Sequence, residues 1–265
     1  MSAPLVEARG VRCRLGRRKV LDGIDLSVRS GSLMCLLGPN GAGKSTLLRM
    51  LSGELAAGEG TVQFDARDLA SWSPVALARR RAVMCQKPNA AFEFHGTEVV
   101  LLGRYPHCEG RPGRTDERIA ERALADAEAA HLAWRIVTTL SGGENARVHF
   151  ARALAQVAYE EDGLPRALFL DEPTASLDLA HQHALMRLAR DLAHGQGLAV
   201  VAVVHDLNLA ARYADEVVLL ADGRIAAAGT PRHVLTREHV KACFGVDVIA
   251  VTAAGQDAPA LLVTA

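Results

Sequence analysis

The chain has 265 residues, 49% hydrophobic and 23% charged, with 30 Lys and Arg set against 30 Asp and Glu. Those proportions describe one large domain with a substantial core, and the zero net charge gives no support to a sequence-nonspecific nucleic-acid binder, which needs a basic excess. No apolar run reaches the roughly 18 residues of a membrane span, and Met1–Gly10 lacks the basic-then-apolar pattern of a signal peptide.

The chain is therefore expected to stay in the cytoplasm. Its cysteines (Cys13, Cys35, Cys85, Cys108, Cys243) are scattered, with no C-x-x-C pair. They read as buried, reduced thiols, not as a disulfide framework or a zinc site.

Leu5 to Val28 mixes alternating apolar runs with a polar turn at Gly16–Lys19 and predicts antiparallel β structure. Ser32–Leu37 is apolar without alternation, as a strand buried on both faces would be. A glycine-rich loop comes next, then a helix from about Lys44 to Leu51. Residues 87 to 156 change character. Thr115–Ala133 and Gly142–Val157 both have helical spacing, which predicts a mostly helical lobe set into an α/β lobe. Strand and helix then alternate: Ala167–Leu170, Leu179–Ala193, Leu198–Val204 and Leu207–Tyr213. That alternation implies a largely parallel sheet. Val217–Ala221 and Arg224–Ala228 flank Asp222-Gly223 and read as a hairpin. The tail from Val234 reads as a short helix and then apolar residues without an assigned role.

Gly38-Pro39-Asn40-Gly41-Ala42-Gly43-Lys44-Ser45 fits G-x-x-x-x-G-K-[ST] residue for residue, between a strand and a helix. Glycines let the backbone curl so that its N–H groups face phosphate oxygens, and the helix N-terminus adds positive potential there. Lys44 supplies a full charge for the β- and γ-phosphates. The Ser45 hydroxyl suits Mg²⁺, a hard cation that prefers oxygen. Thr46 is grouped with the same nucleotide-binding loop. Alone, this motif says nucleotide hydrolase and no more.

Ala167–Leu170 ends in Asp171-Glu172. Asp171, at a strand end beside the phosphate loop, can hold Mg²⁺ through water. Glu172 is the natural general base for an attacking water. An apolar run ending in two acids is a weak signal by itself. Its place after the phosphate loop strengthens it.

Leu140-Ser141-Gly142-Gly143-Glu144 resembles the signature motif of the ABC ATPase family, and Arg147 with Ala151-Arg152-Ala153-Leu154 continues the resemblance. Ser141, Gly142 and Gly143 sit where a helix begins, offering N–H donors and a hydroxyl to an anion. The remaining family positions match Gln86 (the Q-loop, sensing Mg²⁺ and the γ-phosphate), Ser176-Leu177-Asp178 (the D-loop) and His205 (the switch histidine). Without the resemblance, His205 reads as a plain strand-end histidine. The resemblance covers about residues 5 to 235. It implies an α/β fold of the P-loop NTPase, ABC ATPase type: a RecA-like mixed, largely parallel sheet with an N-terminal antiparallel β subdomain and an inserted helical subdomain at about 87–160. It implies a single ATPase domain over 1–235 and a short C-terminal extension over 236–265.

The same resemblance implies ATP and Mg²⁺ as ligands, with Ser45, Gln86 and Asp171 at the metal. It implies a homodimer in which the signature of one chain meets the γ-phosphate held by the other. The expected partners are two transmembrane permease subunits and, indirectly, a periplasmic substrate-binding protein, with no nucleic acid. The expected location is peripheral, on the cytoplasmic face of the bacterial inner membrane. One position departs from the pattern. Where the family places an aromatic residue on adenine, this chain has Leu15. Base–aromatic stacking contributes about 1–3 kcal/mol, so weaker adenine discrimination is expected. Arg14, Arg17 and Arg18 beside it are candidates to compensate for the missing ring, with a solvated basic turn as the favoured reading.

Val100–His107, His205–Ala210 and Gly229-Thr230-Pro231 resemble the importer ATPases for iron chelates, haem and cobalamin. Within that group, Leu179-Ala180-His181-Gln182 and the long connection Gln156–Arg166 resemble the bacterial haem importers. Ferric siderophore and cobalamin importers are the alternatives. Cargo would pass through the permease, so the histidines are not read as haem ligands. His181 and His183 lie two apart and should point to different sides of a helix. An ABC ATPase acting on DNA or ribosomes would carry a coiled-coil insertion or a tandem domain. A small-molecule kinase would not need Leu140–Glu144, and an exporter often fuses its permease to the same chain.

Overall fold

The computed structural model describes residues 3–85, 93–159, 162–251 and 260–264. In chain order its strands and α-helices are β1 (Val6–Leu15), β2 (Arg18–Val28), β3 (Ser32–Leu37), α1 (Lys44–Leu51), β4 (Glu59–Phe64), β5 (Arg67–Asp68), α2 (Pro74–Ala78), β6 (Arg81–Met84), α3 (Gly96–Leu102), α4 (Tyr105–Cys108), α5 (Arg114–Asp126), α6 (Gly142–Val157), β7 (Ala167–Asp171), α7 (Leu179–Gln196), β8 (Ala199–Val203), α8 (Leu207–Tyr213), β9 (Glu216–Ala221), β10 (Arg224–Gly229), α9 (Pro231–Val234), α10 (Arg237–Phe244), β11 (Asp247–Val251) and β12 (Ala260–Thr264).

The central sheet runs β10-β9-β3-β8-β7-β6, parallel except for the β9–β10 hairpin. A second, antiparallel sheet runs β2-β1-β4-β5. The apolar run of β3 fails to alternate because both of its faces are covered. Leu33, Cys35 and Leu37 join the core cluster shared with α3, α5, α6 and α7. Met34 and Leu36 join the cluster shared with β1, β2 and α1. β8 divides the same way, with Val200 and Ala202 to the first cluster and Ala199, Val201 and Val203 to the second.

Differences from the sequence reading have local causes. The expected Thr115–Ala133 helix stops at Asp126, because Glu128 turns left-handed (φ 54°) and closing bonds run from Ala129 N to Leu124 O and Glu128 N to Ala125 O. The apolar tail forms a hairpin, β11–β12. All five cysteines are free thiols, but Cys13 and Cys35 alone are buried; Cys85 is exposed and Cys108 and Cys243 are half-buried. No helix among the described residues is long and apolar enough to cross a membrane.

Candidate nucleotide site

Strand order assembles the site. β3, β8, β7 and β6 are successive parallel neighbours, so the segments beyond their C-terminal ends emerge along one edge. This edge is the usual ligand crevice of an α/β sheet. β3 delivers the phosphate loop, β8 delivers Val204 and His205, and β7 ends in Asp171 and Glu172. Gln86 lies two residues beyond the end of β6, outside the described residues.

At Gly38 (φ 148°) a Cβ would lie 2.1 Å from the Leu220 carbonyl oxygen, so only glycine lets the loop leave the sheet there. Gly43 forms the N-cap of α1 without a side-chain cap, which leaves the helix N-terminus available to an anion. Lys44 is buried, and its Nζ donates to Gly38 O (2.8 Å) and Pro39 O (3.0 Å). Burial lowers its pKa, opposed by the nearby charges of Glu172 and Asp171. Pro39, Asn40, Gly41 and Ala42 complete the turn, and Ser45 and Thr46, both half-buried, stand in the first turn of α1.

Ser45 Oγ donates to Asp171 Oδ1 at 2.9 Å. Burial raises the Asp171 pKa, while the Ser45 hydrogen bond and the Lys44 charge lower it and Glu172 adds to the rise. The hydroxyl and the carboxylate form an all-oxygen donor pair, which fits Mg²⁺. Glu172 comes next in a left-handed conformation (φ 51°), fixed by its N–H donating to Val203 O at 3.1 Å. A non-glycine residue held so is a strained backbone of the kind found at functional sites. Its Oε1 lies 2.8 Å from His205 Nε2. The acid pair therefore divides its work: Asp171 turns to the phosphate-loop helix and Glu172 to the histidine.

The signature segment is built differently. Ser141 caps α6, accepting from Glu144 N (3.3 Å), while Glu144 Oε2 accepts from Ser141 N (2.8 Å). Ser141 and Gly142 are exposed. Their nearest neighbours are in the D-loop: a Cβ on Gly143 would sit 2.9 Å from Ser176 O, and one on Gly142 would sit 3.3 Å from Ser176 Cβ. Asp178 caps α7 and is exposed beside Leu179, which is 68% exposed.

Leu15 is exposed at the end of β1, paired with Arg18 across the turn. Arg18 is not merely solvated: its Nη2 lies 3.4 Å from Gly41 O, which lays this turn against the phosphate loop. Its cluster with Arg14 and Arg17 was the available signal. His181 and His183 do diverge, toward Asp178 (2.7 Å) and Tyr213 (2.9 Å) respectively. The Val100–His107 segment welds helices together. Buried Arg104 donates to Asp116 and to Ala155 O, and His107 Nε2 meets Gln156 O. Gln156 Nε2 in turn donates to Ala78 O and Arg81 O.

The family profile described as "ABC transporter" matches residues 21–175. The chain is 47% identical to the hemin import ATP-binding protein HmuV of Gloeobacter violaceus, over 92% of this chain and 89% of that protein. It is 46% identical to the protein of the same name in Pseudomonas aeruginosa, over 92% and 94%. Among solved structures, an inward-facing metal-chelate type ABC transporter superposes with a TM-score of 0.81 at 26% identity, covering 98% of this chain and 97% of that one. A bacterial ABC transporter cassette solved as a dimer superposes with a TM-score of 0.75 at 26% identity, covering 86% and 99%.

Proposed function

The chain belongs to the ABC transporter family, and from that premise we propose that it is the ATP-hydrolysing subunit of an importer that takes up haem through a separate membrane permease. The observation that carries the hydrolytic part is the paired contact at the sheet edge, Ser45 with Asp171 and Glu172 with His205. The cargo rests on the hemin import ATP-binding proteins that it resembles over 92% of its own length and 89–94% of theirs. The resemblance to a metal-chelate transporter keeps a ferric siderophore importer as the second reading.

In this reading the loop from Gly38 to Gly43 wraps the phosphates and Lys44 exchanges its carbonyl partners for phosphate oxygens. Ser45 and Asp171 are the residues that would hold Mg²⁺, with Gln86 expected to join them. When bound, the cation would supply neutralisation of the phosphate charge. Glu172 takes the proton of the attacking water as its bond to the γ-phosphorus forms and the bond from that phosphorus to the bridging oxygen breaks, the oxygen leaving with ADP. His205, with Nε2 2.8 Å from Glu172 Oε1, orients that carboxylate and meets the γ-phosphate. Leu15 and Arg18 lie where the base would rest.

The signature turn is exposed at Ser141 and Gly142. Its donors serve ATP held by a second copy, so ATP is an interfacial ligand whose binding favours the closed pair and whose hydrolysis releases it. The helical lobe passes that motion to the permease at the cytoplasmic side of the membrane, while a periplasmic binding protein delivers cargo to the opposite side. The test is reconstitution with a candidate permease in vesicles, with ATP turnover measured against binding protein loaded with haem, ferric siderophore or cobalamin. Stimulation by haem supports the cargo, stimulation by another moves the chain to that importer, and no permease association overturns the transport reading.

A further inference from the structure

The histidine of the Leu179–Gln182 segment is held in a chain of polar contacts that the hydrolytic chemistry does not use. The carboxylate of Asp178 accepts twice from His181, at Oδ1 from the backbone N–H (3.0 Å) and from Nδ1 (2.7 Å). The other ring nitrogen, Nε2, lies 2.9 Å from Arg147 Nη1. A guanidinium is only a donor, so Nε2 must accept and Nδ1 must carry the proton. Arg147 Nη1 also donates to Glu128 O at 2.9 Å.

These four residues belong to three different parts of the molecule. Asp178 ends the D-loop, Arg147 lies in the second turn of the signature helix, and Glu128 stands just past the end of α5. The charged and titratable groups facing the ring are Arg147 from α6, Glu128 from the turn after α5 (Oε2 at 3.8 Å), Asp126 from the end of α5 across the same small cleft, and Asp178 from its own helix.

We propose that His181, as the neutral Nδ1–H tautomer, is a positioning residue that locks the D-loop to the signature helix and so sets the surface offered to a second copy. Protonation converts Nε2 from acceptor to donor. The bond to Arg147 is then lost, two cations face each other, and the ring turns toward Glu128 and Asp126. The lock therefore holds while Nε2 is unprotonated and opens when it is protonated. The lock rests on the ATPase reading for its consequence but not for its geometry.

The experiment combines two readouts on the full-length chain. With ¹⁵N-labelled histidine, long-range ¹H–¹⁵N correlation at pH 7.5 should show His181 protonated at Nδ1 alone. In ATP turnover, His181→Gln keeps an acceptor for Arg147 but cannot titrate. It should retain at least about a third of wild-type kcat at pH 8, with KM within about twofold, and should equal or exceed wild type at pH 5.5. An Nε2–H tautomer at pH 7.5, or a variant-to-wild-type ratio constant from pH 8 to 5.5, overturns the proposal. The tautomer is read without hydrolysis, so a chain that turns over no ATP would sink the ATPase reading and leave the NMR result to decide this one.

Discussion

The phosphate loop and the signature turn bind the same kind of ligand in the proposed reading, yet their surroundings are opposite. Lys44 is 6% exposed, Gly38 is pressed against Leu220 O, and Ser45 and Asp171 already touch. Ser141 and Gly142 face solvent; Ser141 is bonded to Glu144 of its own helix, and a Cβ on Gly142 would meet only Ser176. One half of the site is organised by its own chain. The other is a capped helix end whose ligand, in the proposed reading, comes from a second copy. The contrast teaches that substitutions in the first half should act on nucleotide binding and chemistry within one chain, while those in the second should act on assembly.

The largest expected effect tests the first half. Glu172→Gln removes the general base but keeps shape and hydrogen bonding. Hydrolysis should fall about a thousandfold (~4 kcal/mol) with ATP affinity unchanged, and ATP should shift the chain from monomer to dimer in size-exclusion chromatography. Wild-type turnover in that variant would remove Glu172 from its role.

Next in size is the anchor of the signature helix. Only the first turns of α6 reach solvent; His149, two turns in, is buried, and its Nε2 has no hydrogen-bond partner among the described residues. Burial, helped by Arg152, pushes its pKa down to about 4 from 6.5. The unfolded chain then takes up the proton first. Stability is full above pH 6.5 and falls as pH drops toward 4, by about 3 kcal/mol in all. Urea unfolding across that window should show the loss, and His149→Leu should flatten it. An equal slope in both proteins would mean that other groups carry the acid sensitivity.

Gly143→Ala tests the second half more directly. The added Cβ would lie 2.9 Å from Ser176 O, so the signature turn and D-loop must part. Turnover should fall about thirtyfold, less than for a deleted donor, while ATP binding to the monomer changes less than about twofold. Equal losses in binding and turnover would erase the distinction between the halves.

How readily each region could be read from sequence tracks the same division. The phosphate loop was legible because one contiguous stretch carries its requirements: glycines, a lysine and a hydroxyl between a strand and a helix. The two-faced strands were legible because Ser32–Leu37 and Ala199–Val203 lack alternation. The β11–β12 hairpin was not. Its partners are far apart (Val248 faces Val263), and its outer face keeps Ile249 and Leu262 exposed, so no inside–outside pattern marks it. The true end of α5 was hidden too, since Ala and Glu favour helix on both sides of Asp126, and the left-handed turn at Glu128 is a tertiary choice. Arg18 looked like one more solvated arginine because its partner, Gly41 O, is a backbone atom that no sequence pattern displays.

The smallest effect concerns Leu15, where the resemblance leads one to expect an aromatic residue. Leu15 stands 53% exposed on the turn that Arg18 fastens to the phosphate loop. An apolar side chain there retains contact with a base but not the stacking of an aromatic ring. Leu15→Tyr should therefore tighten ATP about tenfold, within the 1–3 kcal/mol of a base–aromatic contact. Inorganic tripolyphosphate, which presents phosphates and no base, should bind both proteins equally, because Lys44 and the loop are untouched. Equilibrium titration of the two ligands separates the cases. Tightening of both would mean that the turn shapes the phosphate loop through Arg18, and the base would then rest elsewhere. Tightening of ATP alone would make Leu15 the reason that this site grips its nucleotide mainly by the phosphates.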